Sequence, residues 1–115
     1  MRMKIFYQSN RMQKIHNNAK EMLKVYGPDR TKKLQHRLMN LKNATCLADV
    51  FHIPGARCHQ LVGNRKGQFS VDLDHPYRLL FIPANEPIPR TEDGGIDLFK
   101  VTEIEIIGIV DTHEN

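Results

Sequence analysis

HQLVGNRKGQFSVDLDHPYRLLFIP, residues 59–83, reads as three strands joined by two tight connections. Phe69, Val71 and Leu73 alternate with Gln68, Ser70 and Asp72, the period of two expected of a half-buried strand. Tyr77, Leu79 and Phe81 alternate with Arg78, Leu80 and Ile82 in a second, more apolar strand. Between them Asp74-His75-Pro76 makes a turn, because proline presets φ and lacks a ladder donor. Upstream, Gly63-Asn64-Arg65-Lys66-Gly67 reads as a hairpin loop with a glycine at each end to supply positive φ. The loop is basic, His59 precedes it and Arg78 follows it. Cations and an imidazole beside one sheet are what a phosphate-bearing substrate requires.

Working outward, 115 residues make one domain, spanning 1–115, large enough for a single core. Hydrophobic residues at 40% and charged residues at 26% suit an ordinary globular chain. No apolar run approaches the roughly 18 residues of a membrane span, and the opening MRMKIFYQSN is too short and polar for a signal peptide. Cys46 and Cys58 alone do not make a disulfide framework, so a reducing cytoplasm is expected. The formal charge of +4 permits an anionic partner, although mildly basic proteins without nucleic-acid roles are the commoner case.

A short first strand is expected over 3–7. Met12, Ile15, Ala19, Met22, Leu23 and Tyr26 form one stripe of a helix over 10–26, with Arg11, Lys14, Lys20 and Lys24 facing water. Gly27 ends it and Pro28 opens a second helix to about Asn43, with Leu34, Leu38 and Leu41 as its apolar stripe; the basic faces of both helices read as solvent faces. So short a break predicts an antiparallel helical hairpin. Thr45 is the expected cap of a short third helix holding Leu47, Val50 and Phe51. A loop rich in proline, glycine and acid fills 83–95. The last strand, 101–110, has Ile104 and Ile106 on one face and Ile107 and Ile109 on the other, which predicts cover on both faces; residues 111–115 leave the sheet. The order predicts an α+β fold of two layers: an N-terminal helical hairpin on one face of a small, mostly antiparallel sheet, with the other face free to bind.

At this point the residues resemble a known family. Tyr26-Gly27-Pro28, the run Ala56-Arg57-Cys58-His59-Gln60-Leu61, the loop 63–71, His75-Pro76-Tyr77-Arg78 and the closing Ile109-Val110-Asp111-Thr112-His113 are similar to RelE/ParE-superfamily toxins of the HigB type. The resemblance covers nearly the whole chain and is most specific in the H-x-L-x-G-x-R-x-G run and the terminal histidine. It implies a RelE/ParE-like fold, cleavage of messenger RNA on the ribosome, and an antitoxin partner. That partner would be a small helix-turn-helix protein through which any DNA contact is indirect. It puts active-site roles on His59, Arg78, Asp111 and His113, with Thr112 standing where the family pattern has tyrosine.

The chemistry can be argued from the residues too. RNA cleavage through the 2′-hydroxyl needs a base, an acid and cations for the developing charge, and no metal or other cofactor. Histidine suits either proton task near neutral pH, which makes His59 and His113 the candidates. Arg78, Arg65 and Lys66 are the candidate charge stabilisers, and Arg57 a further phosphate-binding candidate. Each has a plainer reading. A histidine at a strand start is more often a surface residue, and loop cations are usually solvated. Arg78, in an apolar strand, must have a partner, and a structural ion pair with Asp72 or Asp111 would satisfy it. His75 reads as a turn residue. Cys46, His52, Cys58 and His59 fit no recognised zinc spacing. The competing function classes are a non-enzymatic inhibitor, such as the gyrase-poisoning branch of the same superfamily, and an inactive member retained as a binding partner.

Overall fold

A computed structural model describes residues 1–111 of the chain. Helices α1 (Asn10–His16), α2 (Ala19–Asn43) and α3 (Leu47–Val50) pack on a five-stranded sheet. The strands are β1 (Lys4–Tyr7), β2 (His59–Gln60), β3 (Phe69–Asp72), β4 (Tyr77–Pro83) and β5 (Glu103–Asp111). Their order across the sheet is β1-β5-β4-β3-β2. Only the β1–β5 pair is parallel, so the expected α+β fold with a mostly antiparallel sheet is what forms.

Alternation splits the sheet into two surfaces. Phe69, Val71, Leu79, Phe81, Ile104 and Ile106 point towards Leu34, Leu38 and Leu41 of α2 and form one buried cluster. Phe51, just past α3, meets Phe69 edge-on with ring centroids 6.2 Å apart. Ser70, Asp72 and Arg78 therefore lie on the surface away from the helices.

The first helix ends earlier than expected. The helix predicted over 10–26 breaks after His16, and Asn18 starts the next by accepting from the Lys20 and Glu21 amides at 3.0 and 3.3 Å. The Asn18 side chain competes with the helix ladder for these donors, and a stripe of apolar residues does not reveal that competition. Gly27 does reverse the chain, with φ 79° and ψ 172° inside α2. One cleft has Ala19 and Met22 on one side and Leu38 and Lys42 on the other, so the two limbs of α2 run back along each other as the hairpin requires.

Three local expectations are also corrected. Cys46, not Thr45, is the N-cap of α3; Asp49 reaches back to accept from the Thr45 amide at 3.2 Å. Asp111 belongs to β5 instead of leaving the sheet. The two-faced isoleucine pattern of β5 comes from a bulge. Phe81 pairs with Ile106 and Leu80 with Gly108, so Ile107 is the extra residue. The alternation then restarts, and Ile109 packs on the same core as Ile104 and Ile106.

The most consequential departure is Arg37, only 4% exposed although the helix cations were expected to face water. Its Nε donates to the Asp72 carbonyl at 2.7 Å, Nη2 to the Gly55 carbonyl at 2.8 Å and Nη1 to Asn40 Oδ1 at 3.1 Å. Burial pulls its pKa down and the nearby Asp72 charge pulls it up. His16 is buried as well, hydrogen-bonded through Nε2 to the Tyr26 hydroxyl at 3.0 Å. Burial depresses its pKa from the usual 6.5 to about 4.

Two outcomes are expected. Arg37→Met should lower unfolding free energy in urea, by about 1–3 kcal/mol for each buried carbonyl left without a donor. His16 stays neutral in the fold but binds a proton when unfolded, so stability should fall as pH drops from the usual 6.5 towards about 4. In thermal unfolding across that window, His16→Gln should show a shallower decline than the parent chain.

Candidate functional site

The sheet register assembles a polar cluster. His59 pairs with Ser70 across β2–β3, and Asp72 pairs with Arg78 across β3–β4. Residues opposite each other in neighbouring strands project to the same side, so all four share the surface turned away from the helices. The alternation that drives Phe69, Val71 and Leu79 into the core is what places them there.

Arg78 is the hub, with a side chain only 16% exposed. Its Nη1 lies 2.5 Å from His59 Nε2 and donates to Ser70 Oγ at 2.9 Å. Its Nη2 sits 3.2 Å from Asp72 Oδ1. A guanidinium has donors and no acceptor. His59 Nε2 must therefore be the acceptor, Nδ1 carries the proton, and the ring is neutral. The electrostatics agree: partial burial lowers the His59 pKa, the Arg78 charge lowers it further, Asp72 opposes, and Arg57 adds to the lowering. Ser70, with no exposed surface, forms the floor 3.4 Å from His59 Nε2.

Arg57 reaches the other oxygen of Asp72, Nε to Oδ2 at 3.7 Å, with 73% of its side chain exposed. Its φ of 48° is the one left-handed backbone value at a non-glycine among the described residues. Such conformations cost free energy and tend to cluster at functional sites. An exposed ion pair of this kind contributes about 0–1 kcal/mol, so the Arg57 head can exchange its partner readily. Cys58, between Arg57 and His59, turns the other way into the core, and burial pushes its thiol up to about 12. It is an inert thiol at neutral pH.

The remaining candidates are placed differently. Arg65 donates to Gln68 at 3.4 Å inside its own loop, and Lys66 lies exposed there. No hydrogen bond or ion pair joins either to His59 or Arg78 among the described residues. Gly63 and Gly67 have the positive φ expected of that loop, 67° and 88°. Asp111 pairs with Tyr77, while Arg78 pairs with Val110. Alternation thus sets the Asp111 side chain on the Tyr77 side of the sheet. His113 and Thr112 lie outside the described residues. Sequence reasoning placed Asp72 only as a structural partner of Arg78 and passed over Ser70. Both were findable, since period two on β3 puts them on one side and His59 and Arg78 flank that strand.

The cluster offers a neutral imidazole, a half-buried guanidinium, an exposed guanidinium and a carboxylate that ties the two together. That set can bind a monoanion beside a proton acceptor. No protein-family model matches the chain, and no curated protein does. Among the described residues, no helix is long and apolar enough to cross a membrane.

Replacing Arg78 should report on this coupling. In Arg78→Met the His59 ring loses a neighbouring cation, so its pKa should rise towards the usual histidine value. Imidazole resonances followed across a pH titration by NMR should show the shift; an unmoved midpoint would contradict the hydrogen bond.

Proposed function

We propose that the chain is a ribosome-dependent endoribonuclease, the toxin of a type II toxin–antitoxin pair. The observation that carries this reading is the contact between the neutral His59 ring and Arg78 on the sheet surface turned away from the helices. The similarity of residues 56–78 and 109–113 to HigB-type toxins supports it.

In this mechanism the RNA 2′-hydroxyl attacks the adjacent phosphorus, and a 2′,3′-cyclic phosphate forms as the 5′-oxygen leaves. His59 is the base. Its Nε2 holds the lone pair needed to take the hydroxyl proton, but in the free protein Arg78 Nη1 occupies that lone pair. As RNA enters, Nη1 turns to a phosphate oxygen and frees Nε2, while Nη2 keeps its contact with Asp72. Arg78 then offsets the charge developing on the phosphate. His113 is the proposed acid for the leaving oxygen. Arg57, Arg65 and Lys66 are the proposed contacts along the strand. Asp111 is assigned to the active site by family resemblance.

Each proton-transfer group contributes about 10²–10⁴ in rate. Efficient cleavage needs an in-line substrate as well, and a ribosome presenting the message supplies that alignment. Action on ribosomes places the chain in the cytoplasm. A small helix-turn-helix antitoxin would hold it in check and link it indirectly to DNA.

Expression without a partner should arrest growth, and His59→Ala, Arg78→Ala or His113→Ala should relieve the arrest. With translating ribosomes in EDTA-free buffer, the parent protein should cut message, and each variant should lose about 10²-fold or more in rate. Message left intact by the parent would end the nuclease reading; inhibited supercoiling by gyrase would instead favour the non-enzymatic branch.

A further inference from the structure

Beside the His59–Arg78 contact, the sheet surface sinks into a cleft of about 190 Å³. Arg57, Asp72, His75 and Arg78 supply its polar lining, and Leu73 and Pro76 part of its apolar wall. The His75–Pro76 turn, which the sequence offered only as a connection, is thus one side of a concave site. Asp72 sits between the two arginines, 3.7 Å from Arg57 and 3.2 Å from Arg78. Its own side chain is 22% exposed, and its position is locked from behind because its carbonyl accepts from the buried Arg37 and its amide donates to Ala56.

That lock decides what the cleft can take. The carboxylate is held at its two oxygens by Arg57 and Arg78, on a backbone bonded at 2.7 Å through both its amide and its carbonyl. An incoming anion must share the arginines with Asp72 instead of replacing it. Two guanidiniums less one carboxylate leave a single positive charge facing the cleft. One phosphodiester group neutralises that charge. A phosphate dianion leaves an excess negative charge a few ångströms from the Asp72 carboxylate, where a charge pair still interacts appreciably.

We propose that this cleft is a subsite for one RNA phosphodiester, and that Asp72 is the positioning residue that confines it to monoanions. The proposal rests on the nuclease reading for its choice of RNA. It adds a discrimination: the site accepts an internal linkage of a chain and disfavours the dianionic forms of terminal phosphomonoesters and of free phosphate. Asp72 also holds Arg78 by Nη2, so the guanidinium keeps its orientation when Nη1 leaves His59 for the ligand.

The test uses the full chain at a pH well above the second ionisation of phosphate, so that inorganic phosphate is the dianion, and two probes: a 2′-O-methyl dinucleoside monophosphate, which cannot be cleaved through the 2′-oxygen, and inorganic phosphate. Side-chain Nε–Hε resonances of Arg57 and Arg78 are followed by NMR during titration. The dinucleotide should shift both and bind more tightly than phosphate. In Asp72→Asn, which keeps the shape and the backbone bonds, phosphate should gain by roughly tenfold relative to the dinucleotide. Arg57→Gln, at an exposed position, should weaken both probes. It serves as a folded control if Asp72→Asn is unstable, and Asp72→Ser is then the second variant for the preference. Equal binding of the two probes by the parent, an unchanged ratio in the Asp72 variants, or shifts that bypass both arginines would overturn the subsite. A protein that shows the preference yet leaves ribosome-bound message intact would sink the nuclease reading and leave the subsite standing.

Discussion

A guanidinium buried under a sheet holds the candidate site in shape. Arg37 reaches from α2 to the carbonyls of Asp72 and Gly55. One of these residues carries the site's carboxylate; the other lies two residues before Arg57. Burying a cation carries a desolvation cost, which its hydrogen bonds must offset. Here all three of its hydrogen bonds go to oxygen acceptors, two of them backbone carbonyls. The bond from the Asp72 amide to the Ala56 carbonyl, 2.7 Å, closes the same joint. Arg30 reinforces it farther along α2, stacking 3.4 Å above the Tyr77 ring and bonding Asp74 at 3.3 Å. The helix layer thereby fixes where the end of β3 and the start of β4 sit, although every group of the cluster lies on the opposite surface.

That separation keeps the apolar core and the polar cluster on opposite sides of a small sheet. The helix side is apolar and tightly buried. The other side has a dry floor, because Ser70 and Leu80 are both nearly inaccessible. Charges set above such a floor interact more strongly than in water. Burial first, and then the Arg78 charge, lower the His59 pKa while Arg78 remains paired with Asp72. The strands supply orientation and the flanking loops supply movable heads: Arg78 is anchored within β4, whereas Arg57 sits on an exposed turn.

Much of this was legible in residues 59–83 alone. Period two gave the strands, glycine and proline gave the connections, and an arginine among apolar neighbours demanded a partner, which Asp72 supplies. The helical reversal at Gly27 could be read because only a residue tolerant of positive φ suits that position. What could not be read were features set by competition between residues. The α1–α2 break depends on Asn18 outbidding the helix ladder for two amides. The face of Ile109 depends on one extra residue, Ile107, absorbed by a bulge. Arg37 was nearer to hand: it lies three residues after Leu34 and four before Leu41, on the same stripe. A cation on an apolar stripe was a signal of a buried anchor, lost by reading all helix cations as solvated.

The resting geometry also bears on how the proposed enzyme would be restrained. Arg78 caps the one lone pair that His59 could use as a base. A hydrogen bond from a charged donor contributes about 1.5–3 kcal/mol; left in place, it would oppose proton uptake by a comparable amount. A phosphate oxygen that takes over the Nη1 donor returns a contact of the same kind, so the exchange is nearly balanced in free energy. On the proposed mechanism base activation would be coupled to occupancy of the adjacent cleft, and the free protein would be a poor base in the absence of substrate. The balance also explains why alignment matters so much: a phosphate held out of reach of Nη1 leaves His59 capped. A partner that orders the strand, as a ribosome does, would therefore act on the protonation chemistry as well as on the line of attack.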